Sequence, residues 1–451
     1  MTETFAASPT RLICAALAGM ILLLLLIIKG KLQPLVAILI SAIGIGLFAG
    51  MPFNMITATV TKGIGKTLEG IALLVGLGSM FGAILEISGG AERMALSMIN
   101  RFGEKKAPWA LGLTGMVIAI PVFFDAGLII LIPLAFSVAK RTGKSSLIYA
   151  IPLLAGLAVG HAFIPPTPGP VLVAGILNVD LGLVIGLGLI VGLVAMSIAG
   201  PVFGRYIGEK IYVPVPENVA AQPNIDESKL PAFGTVVAII MIPLVLILLS
   251  SASGVIPALA GVAPYFQFIG TPFIALILAV LAAMFLLGTK NGYSRTDLEK
   301  IMTKSLEPTG MILLVTAGGG VLRYMLQDSG LGDIIGNAVA GSPLPMVAVA
   351  FFIAAAVRIS VGSATVAMTM AAGIVAAMPE IAGFSQLYLA CIVMAIAGGA
   401  TVMSHVNDSG FWLVTSLLQL EEKTTFKTWT VMETIVGCTG FFVALLISFF
   451  C

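Results

Sequence analysis

Apolar residues dominate the chain in long blocks, with short polar stretches between them. Near-continuous apolar runs at 11 to 28, 32 to 50 and 68 to 87 each approach the roughly 20 residues that span a bilayer as a helix. Longer runs follow at 107 to 139 and 147 to 178, then one at 181 to 204. The order then repeats, with runs at 233 to 250, 271 to 288 and 309 to 327, long stretches at 344 to 380 and 385 to 420, and a last run at 431 to 450. The pattern predicts an all-α polytopic membrane protein, its first apolar run retained as a transmembrane helix.

The four long stretches are the ones interrupted by polar or helix-breaking residues. PVFFDAG (121 to 127) places Pro121 and Asp125 inside the first, and HAFIPPTPGP (161 to 170) places four prolines inside the second. Each such proline removes an amide donor and clashes with the preceding turn, so the helix must break there. RISVGSATVA (358 to 367) and SHVNDSGFW (404 to 412) interrupt the third and fourth. Backbone freed at membrane depth is tolerated only where it is buried in protein or lines a cavity, so these breaks are the predicted site.

YVPVPENVAAQPNIDESKLP, residues 212 to 231, is the longest polar, proline-bearing segment and reads as a linker. It divides the chain into an N-terminal repeat, 1–211, and a C-terminal repeat, 232–451. Pro34, Ala37 and Gly50 match Pro272, Ala275 and Gly288 at an offset of 238, and Gly70, Leu73, Leu74 and Val75 match Gly310, Leu313, Leu314 and Val315 at 240. Gly78, Leu85, Ser88 and Gly89 match Gly319, Leu326, Ser329 and Gly330 at 241, and the two histidines, His161 and His405, differ by 244. If 107 to 139 and 344 to 380 are hairpins that return to their own side, 18 of the 23 Lys and Arg residues gather on one face. Arg11, Lys62, Lys66 and Arg323 fall on or near the other, and Arg358 lies within the second hairpin. The positive-inside rule makes the basic face, and the linker with it, cytoplasmic, and puts both termini in the periplasm. Two full crossings per stretch would give the same parity; the breaks favour re-entrant hairpins. Each repeat then crosses an odd number of times, giving two inverted-topology repeats, each with a re-entrant hairpin and a broken helix.

Composition agrees: 59% hydrophobic, 10% charged, mean hydropathy +1.11, against about 25% charged in soluble domains. A net charge of +2 gives no reason to expect nucleic acid. Four separated cysteines suggest neither a disulfide framework nor a metal site. The glycines around Gly63 to Thr67 miss the P-loop pattern because position 60 is Val60, GLGSMFG misses the dinucleotide spacing, and Ser404 beside His405 is the one loose candidate for a hydrolase pair.

Within the breaks, helix N-termini offer free N–H groups to an anion. Thr167, Ser363, Thr365, Asn407 and Ser409 add neutral donors. Arg358 supplies a planar cation matched to a carboxylate. Asp125 and Asp408 are candidates to hold and release a proton, with His161 and His405 as alternatives. Each also has an ordinary role available: buried charges pair, histidines pack, Ser and Thr bond back to their own helix, and Glu86 reads as a helix-end group near water. Sodium coupling stays open, since broken-helix carbonyls can coordinate Na⁺.

At these same breaks the chain resembles the gluconate permease family of bacterial proton symporters. VFFDAGLIILIPLAFSVA, HAFIPPTPGP, RISVGSATVA and SHVNDSGFWL carry the resemblance, which covers essentially the whole chain. It implies a sugar-acid/proton symporter of the inner membrane, needing no cofactor and not an enzyme, with an ion-transporter-superfamily-like architecture and elevator-type movement in a homodimer. It equally admits D-serine, idonate and other hydroxy acids. Family members commonly carry histidine where this chain has Thr167, which leaves any family role there unsupported. Many carry Glu where this chain has Asp125, which preserves a carboxylate.

Overall fold

A computed structural model describes residues 8–216, 227–256, 259, 261–330, 344–376 and 378–451, and helices are its only regular structure among them. The middle of the linker, and the stretch before the second hairpin, lie outside the described residues. In the first half, α1 (Pro9–Ile28), α2 (Pro34–Ala49) and the 35-residue α3 (Phe53–Ile87) lead to α4 (Gly90–Phe102). The interrupted pairs α5 (Ala107–Ile118) with α6 (Phe124–Thr142) and α7 (Leu147–Phe163) with α8 (Pro168–Leu177) follow. Next, α9 (Leu181–Ser197) runs through a π-turn, Ile198–Val202, into α10 (Phe203–Lys210).

The second half repeats the order. After α11 (Phe233–Val255) and α12 (Ala263–Ile269) come α13 (Pro272–Ala283) and the 34-residue α14 (Arg295–Asp328). The pairs α15 (Met346–Val361) with α16 (Ala364–Ala376) and α17 (Gln386–Gly399) with α18 (Ser409–Leu417) follow. Finally α19 (Glu422–Thr425) continues through a π-turn, Phe426–Thr430, into α20 (Val431–Ser448). Local chemistry explains many boundaries. Ser8, Gln33, Asp180 and Ser385 accept from amides in the first turn of the helices they open. Ser294 and Asp297 form a reciprocal capping box at α14. Gly50 ends α2 at φ +87° and Gly143 ends α6 at φ +65°, left-handed values that glycine adopts without strain.

Seven continuous or nearly continuous helical stretches among the described residues are long and apolar enough to cross a membrane. Leucines and isoleucines at 13, 17, 21 and 25 of α1 and at 40, 43 and 47 of α2 are exposed, as lipid-facing side chains are. Two helices are longer than the apolar runs suggested: the run at 68 to 87 belongs to a helix starting at Phe53, and that at 309 to 327 to one starting at Arg295. The added turns carry Lys62 and Lys66 or Lys300 and Lys304, so hydropathy hid them. They hold because α3 and α14 pack along each other. A β-carbon on Gly63 would come within 2.6 Å of Val321 Cα, Ser79 and Thr309 share a 2.6 Å hydroxyl bond, and Thr59 and Lys62 both reach Asp328 at 2.9 and 3.0 Å.

Polar contacts sort the chain into two ends. At one, Tyr293 donates to the Ile87 carbonyl at 2.8 Å, Arg93 to the Pro231 carbonyl at 2.8 Å, and Ser145 to the Ile211 carbonyl at 3.0 Å. At the other, Arg11 donates to the Phe48 carbonyl at 2.9 Å, Lys62 meets Asp328, and Asp180 meets Ser251 and Gln386 at 3.0 Å. Glu104 and Arg141, on either side of α5 and α6, lie 3.8 Å apart, so this pair is a hairpin returning to the end it left. The two halves are not independent units: α3 packs on α14, α8 on α16, and α6 on α18.

Close helix approaches depend on glycine. A β-carbon on Gly156 would sit 2.0 Å from the Gly112 carbonyl oxygen, and one on Gly160 2.4 Å from that of Met116, where α7 crosses α5. Gly156→Leu is expected to abolish recovery of a monodisperse protein in detergent. Gly186→Leu on α9, with no atom near its added carbon, is expected to leave the size-exclusion profile unchanged.

Candidate functional site

The four predicted breaks are real interruptions, at residues 119 to 123, 164 to 167, 362 to 363 and 400 to 408. The peptide between Pro165 and Pro166 is cis. In the third, the break is two residues long, and Arg358 stands in the last turn of α15 rather than in the break itself.

The two C-terminal breaks meet directly. Gly362 takes φ +81°, and a β-carbon there would lie 2.2 Å from the Asn407 carbonyl oxygen. The Ile359 carbonyl, left over at the end of α15, accepts from Asn407 Nδ2 at 2.9 Å and lies 3.0 Å from His405 Nε2. One residue before Ile359, Arg358 pairs through Nη2 with Asp408 Oδ2. The same oxygen accepts from the Ser404 hydroxyl, and Asp408 Oδ1 accepts from the Gly410 amide at 3.1 Å, capping α18. Ser404 is fixed in turn by Trp429 Nε1 at 2.7 Å and, through its carbonyl, by the Thr430 hydroxyl. With its hydroxyl donated to Asp408 and His405 turned to Ile359, Ser404 is not paired with His405, and the Ser–His hydrolase pairing does not form. Arg358 is only 3% exposed, yet among the described residues its Nε and Nη1 find no hydrogen-bond partner, nor does Asn407 Oδ1. Two unspent donors on one buried guanidinium are uncommon in finished packing and suit a ligand's carboxylate oxygens, while the Asn407 oxygen can accept from a ligand's hydroxyl.

The N-terminal breaks face a narrow, partly open cleft of only about 20 Å³, lined by Leu74, Gly78, Pro121, Phe123, His161 and Thr167 among others. The Phe123 ring meets His161 edge-on at 6.3 Å, and His161 Nδ1 has no partner among the described residues. Thr167 turns its hydroxyl back to the Ile164 carbonyl at 2.7 Å, the ordinary role for a Thr at such a position. Asp125 stands exposed in the first turn of α6. Its neighbour Phe124 packs on Trp429 at 5.3 Å, joining the first hairpin to the C-terminal cluster. Asp125 and His161 both interact electrostatically with Asp408.

The expectation of four open helix N-termini needs revision. Asp408 already caps α18, Asp125 occupies the first turn of α6, and Pro168 and Pro170 remove two of the first three amides of α8. Only α16 starts with a weak, neutral cap, Ser363 Oγ accepting from Val366 at 3.5 Å, with Thr365 in the same turn. Ser409 is exposed at the first position of α18. Replacing Gly362 by Ala is expected to reduce transport by tenfold or more, because the added carbon both strains a left-handed backbone, at about 1 kcal/mol, and pushes Asn407 off Ile359; uptake per folded protein measures it.

Sequence reasoning missed Glu433, Trp429 and Thr430. Glu433 is 4% exposed and interacts electrostatically with Arg358 and Asp408. Read against an apolar run starting at 431, it looks like a first-turn acid at the water's edge. The helix actually begins nine residues earlier, through the π-turn, and carries it into the interior.

A family model described as GntP family permease matches residues 10–450. The chain belongs to the GntP permease family. It is a multi-pass membrane transporter and not an enzyme. The low-affinity gluconate transporter of Escherichia coli K12 is 40% identical over 436 residues, covering 96% of this chain and 98% of that one. The gluconate permease of Bacillus subtilis 168 is 35% identical (95% and 98% covered), and the Gnt-II system L-idonate transporter of E. coli K12 is 34% identical (96% and 98%). Among solved structures, this GntP permease is similar in fold to the Alcanivorax borkumensis YdaH transporter, at TM-score 0.63, 15% identity and 88% coverage of each chain. Neisseria gonorrhoeae MtrF gives 0.61 and 14%, with 86% and 84% covered.

Proposed function

We propose that this permease imports gluconate or a closely related sugar acid across the bacterial inner membrane by proton symport. The observation that carries the reading is Arg358: a cation buried where two helix breaks meet, with two donor nitrogens unspent. A carboxylate is the ligand that satisfies both its charge and its geometry. Beside it, the start of α16 with Ser363 and Thr365, together with Asn407, Ser409 and His405, offers the neutral groups that polyol hydroxyls require. Asp125 is the preferred carrier of the coupled proton, since Asp408 is held by three donors including Arg358, whereas Asp125 is exposed at the first hairpin.

The fold in this reading is two inverted repeats, hairpins re-entering from opposite faces, with both termini periplasmic and the linker cytoplasmic. The long α3 and α14 form a static frame, against which the hairpins and broken helices move as an elevator within a homodimer. The L-idonate relative supports a site tolerant of sugar-acid stereochemistry. Counterflow of labelled gluconate against unlabelled gluconate, L-idonate and D-serine tests the substrate: strong competition by the first two and none by D-serine is expected. Competition by D-serine alone would replace the sugar acid with an amino acid.

A further inference from the structure

Three carboxylates, Asp125, Asp408 and Glu433, surround the site, and the one full cation among them is Arg358. Asp408 has taken that cation. Glu433 is equally deep and faces the same break. On its helix, Thr430 donates to the Ser404 carbonyl, and Thr434 accepts from the Met403 amide at 3.1 Å. One turn further on, a β-carbon on Gly437 would come 2.3 Å from the Gly398 carbonyl. Residues 430, 433, 434 and 437 thus form one face pressed on residues 398 to 404.

Among the described residues, the elements packed on α20 supply Glu433 with no second Lys or Arg. They are α7, α9, the π-turn Ile198–Val202, α15 and α17. Their titratable residues are Tyr149 and His161 on α7, Arg358 on α15, and Tyr388 and Cys391 on α17; α9 and the π-turn have none, the adjoining break carries Asp408, paired with Arg358, and His405, turned to the Ile359 carbonyl, and α20 itself carries Cys438. Lys423 and Lys427, on the approach to α20, are exposed.

We propose that Glu433 is a proton-holding residue of the transport site, protonated while substrate is bound, so that proton and sugar-acid anion bind together. The inference rests on the carboxylate-binding role of Arg358 given above. An ionised Glu433 would add a third anion around one guanidinium once the substrate carboxylate reached Nε and Nη1, an arrangement that an uncompensated buried charge makes unfavourable. A neutral Glu433 removes that repulsion. Anion affinity and proton affinity are therefore linked, each raising the other by the same factor. Asp125, exposed at the first hairpin, exchanges the proton with water; Glu433 holds it where the substrate senses it. The transfer leaves a carboxylate on Asp125 and a carboxylic acid on Glu433.

The test is gluconate binding to purified protein across pH 5.5 to 8.5. Wild type is expected to bind most tightly at low pH and to lose affinity by about tenfold per pH unit above the midpoint, the slope for one linked proton. Glu433→Gln, a permanent mimic of the protonated form, is expected to bind with less than a twofold change across the range and to exchange gluconate without proton-driven accumulation. A Glu433→Gln protein with the wild-type slope overturns the proposal. If Gln is not tolerated, Glu433→Asp decides: a displaced midpoint supports the role and an unchanged one overturns it. Failure of the substrate reading looks different, because it shows in the wild type, which would then bind another acid of the competition panel and not gluconate. The same titration is then run with that acid.

Discussion

Asp125→Asn is expected to abolish uphill accumulation while leaving substrate exchange within about threefold of wild type. The asparagine keeps the size and the first-turn position on α6, but it cannot release a proton, so the loaded site can still cycle in exchange without coupling. The phenotype separates coupling from binding, because Asp125 makes no direct contact with the Arg358 cluster and reaches Asp408 only through its charge. Accumulation of substrate by this variant under a proton gradient would remove Asp125 from the proton route.

Arg358→Ala should have the largest effect on binding. It removes the cation and also leaves the partly buried Asp408 beside Ser404 without its charge partner. Breaking a fully buried pair from one side costs about 3–5 kcal/mol and this partly buried one costs less, so the single variant is expected to be less stable as well as inactive. The double variant Arg358→Ala/Asp408→Asn removes both charges, and the asparagine oxygen still accepts from the Gly410 amide. It is expected to recover much of the thermal stability while gluconate affinity stays at least 100-fold weaker than wild type, the counterpart of about 3 kcal/mol. Recovery of affinity together with stability would assign the substrate carboxylate to backbone amides, most directly those opening α16.

The positions of the breaks were legible because prolines, an Asp and a run of polar residues interrupt apolar sequence at membrane depth, where each has a strong local cost. Partnership was not. Arg358 and Asp408 are 50 residues apart, and nothing local says that the base and the acid satisfy each other. The sequence therefore left Arg358 as a free cation and Asp408 as a proton carrier, where the structure makes them one ion pair with two spare donors. Thr167 followed the ordinary rule for hydroxyls near helix ends. Glu433 escaped notice because helix limits read from hydropathy stop where polar residues begin, and the polar turns before α20, like those opening α3 and α14, are helical through packing. The cross-packing of the halves, α8 on α16 and α6 on α18, was likewise invisible, since it depends on long-range fit at positions such as Gly169, where a β-carbon would meet Met368 Sδ at 2.4 Å.

The central claim is that a proton gradient drives a sugar-acid anion through this site. The most direct measurement is uptake of labelled gluconate into proteoliposomes whose interior is made alkaline relative to the bath, with and without a protonophore. Accumulation above the external concentration, collapsing when the protonophore is added and independent of Na⁺, is the predicted result. Simple equilibration, or accumulation that follows a Na⁺ gradient and ignores the pH gradient, would contradict it.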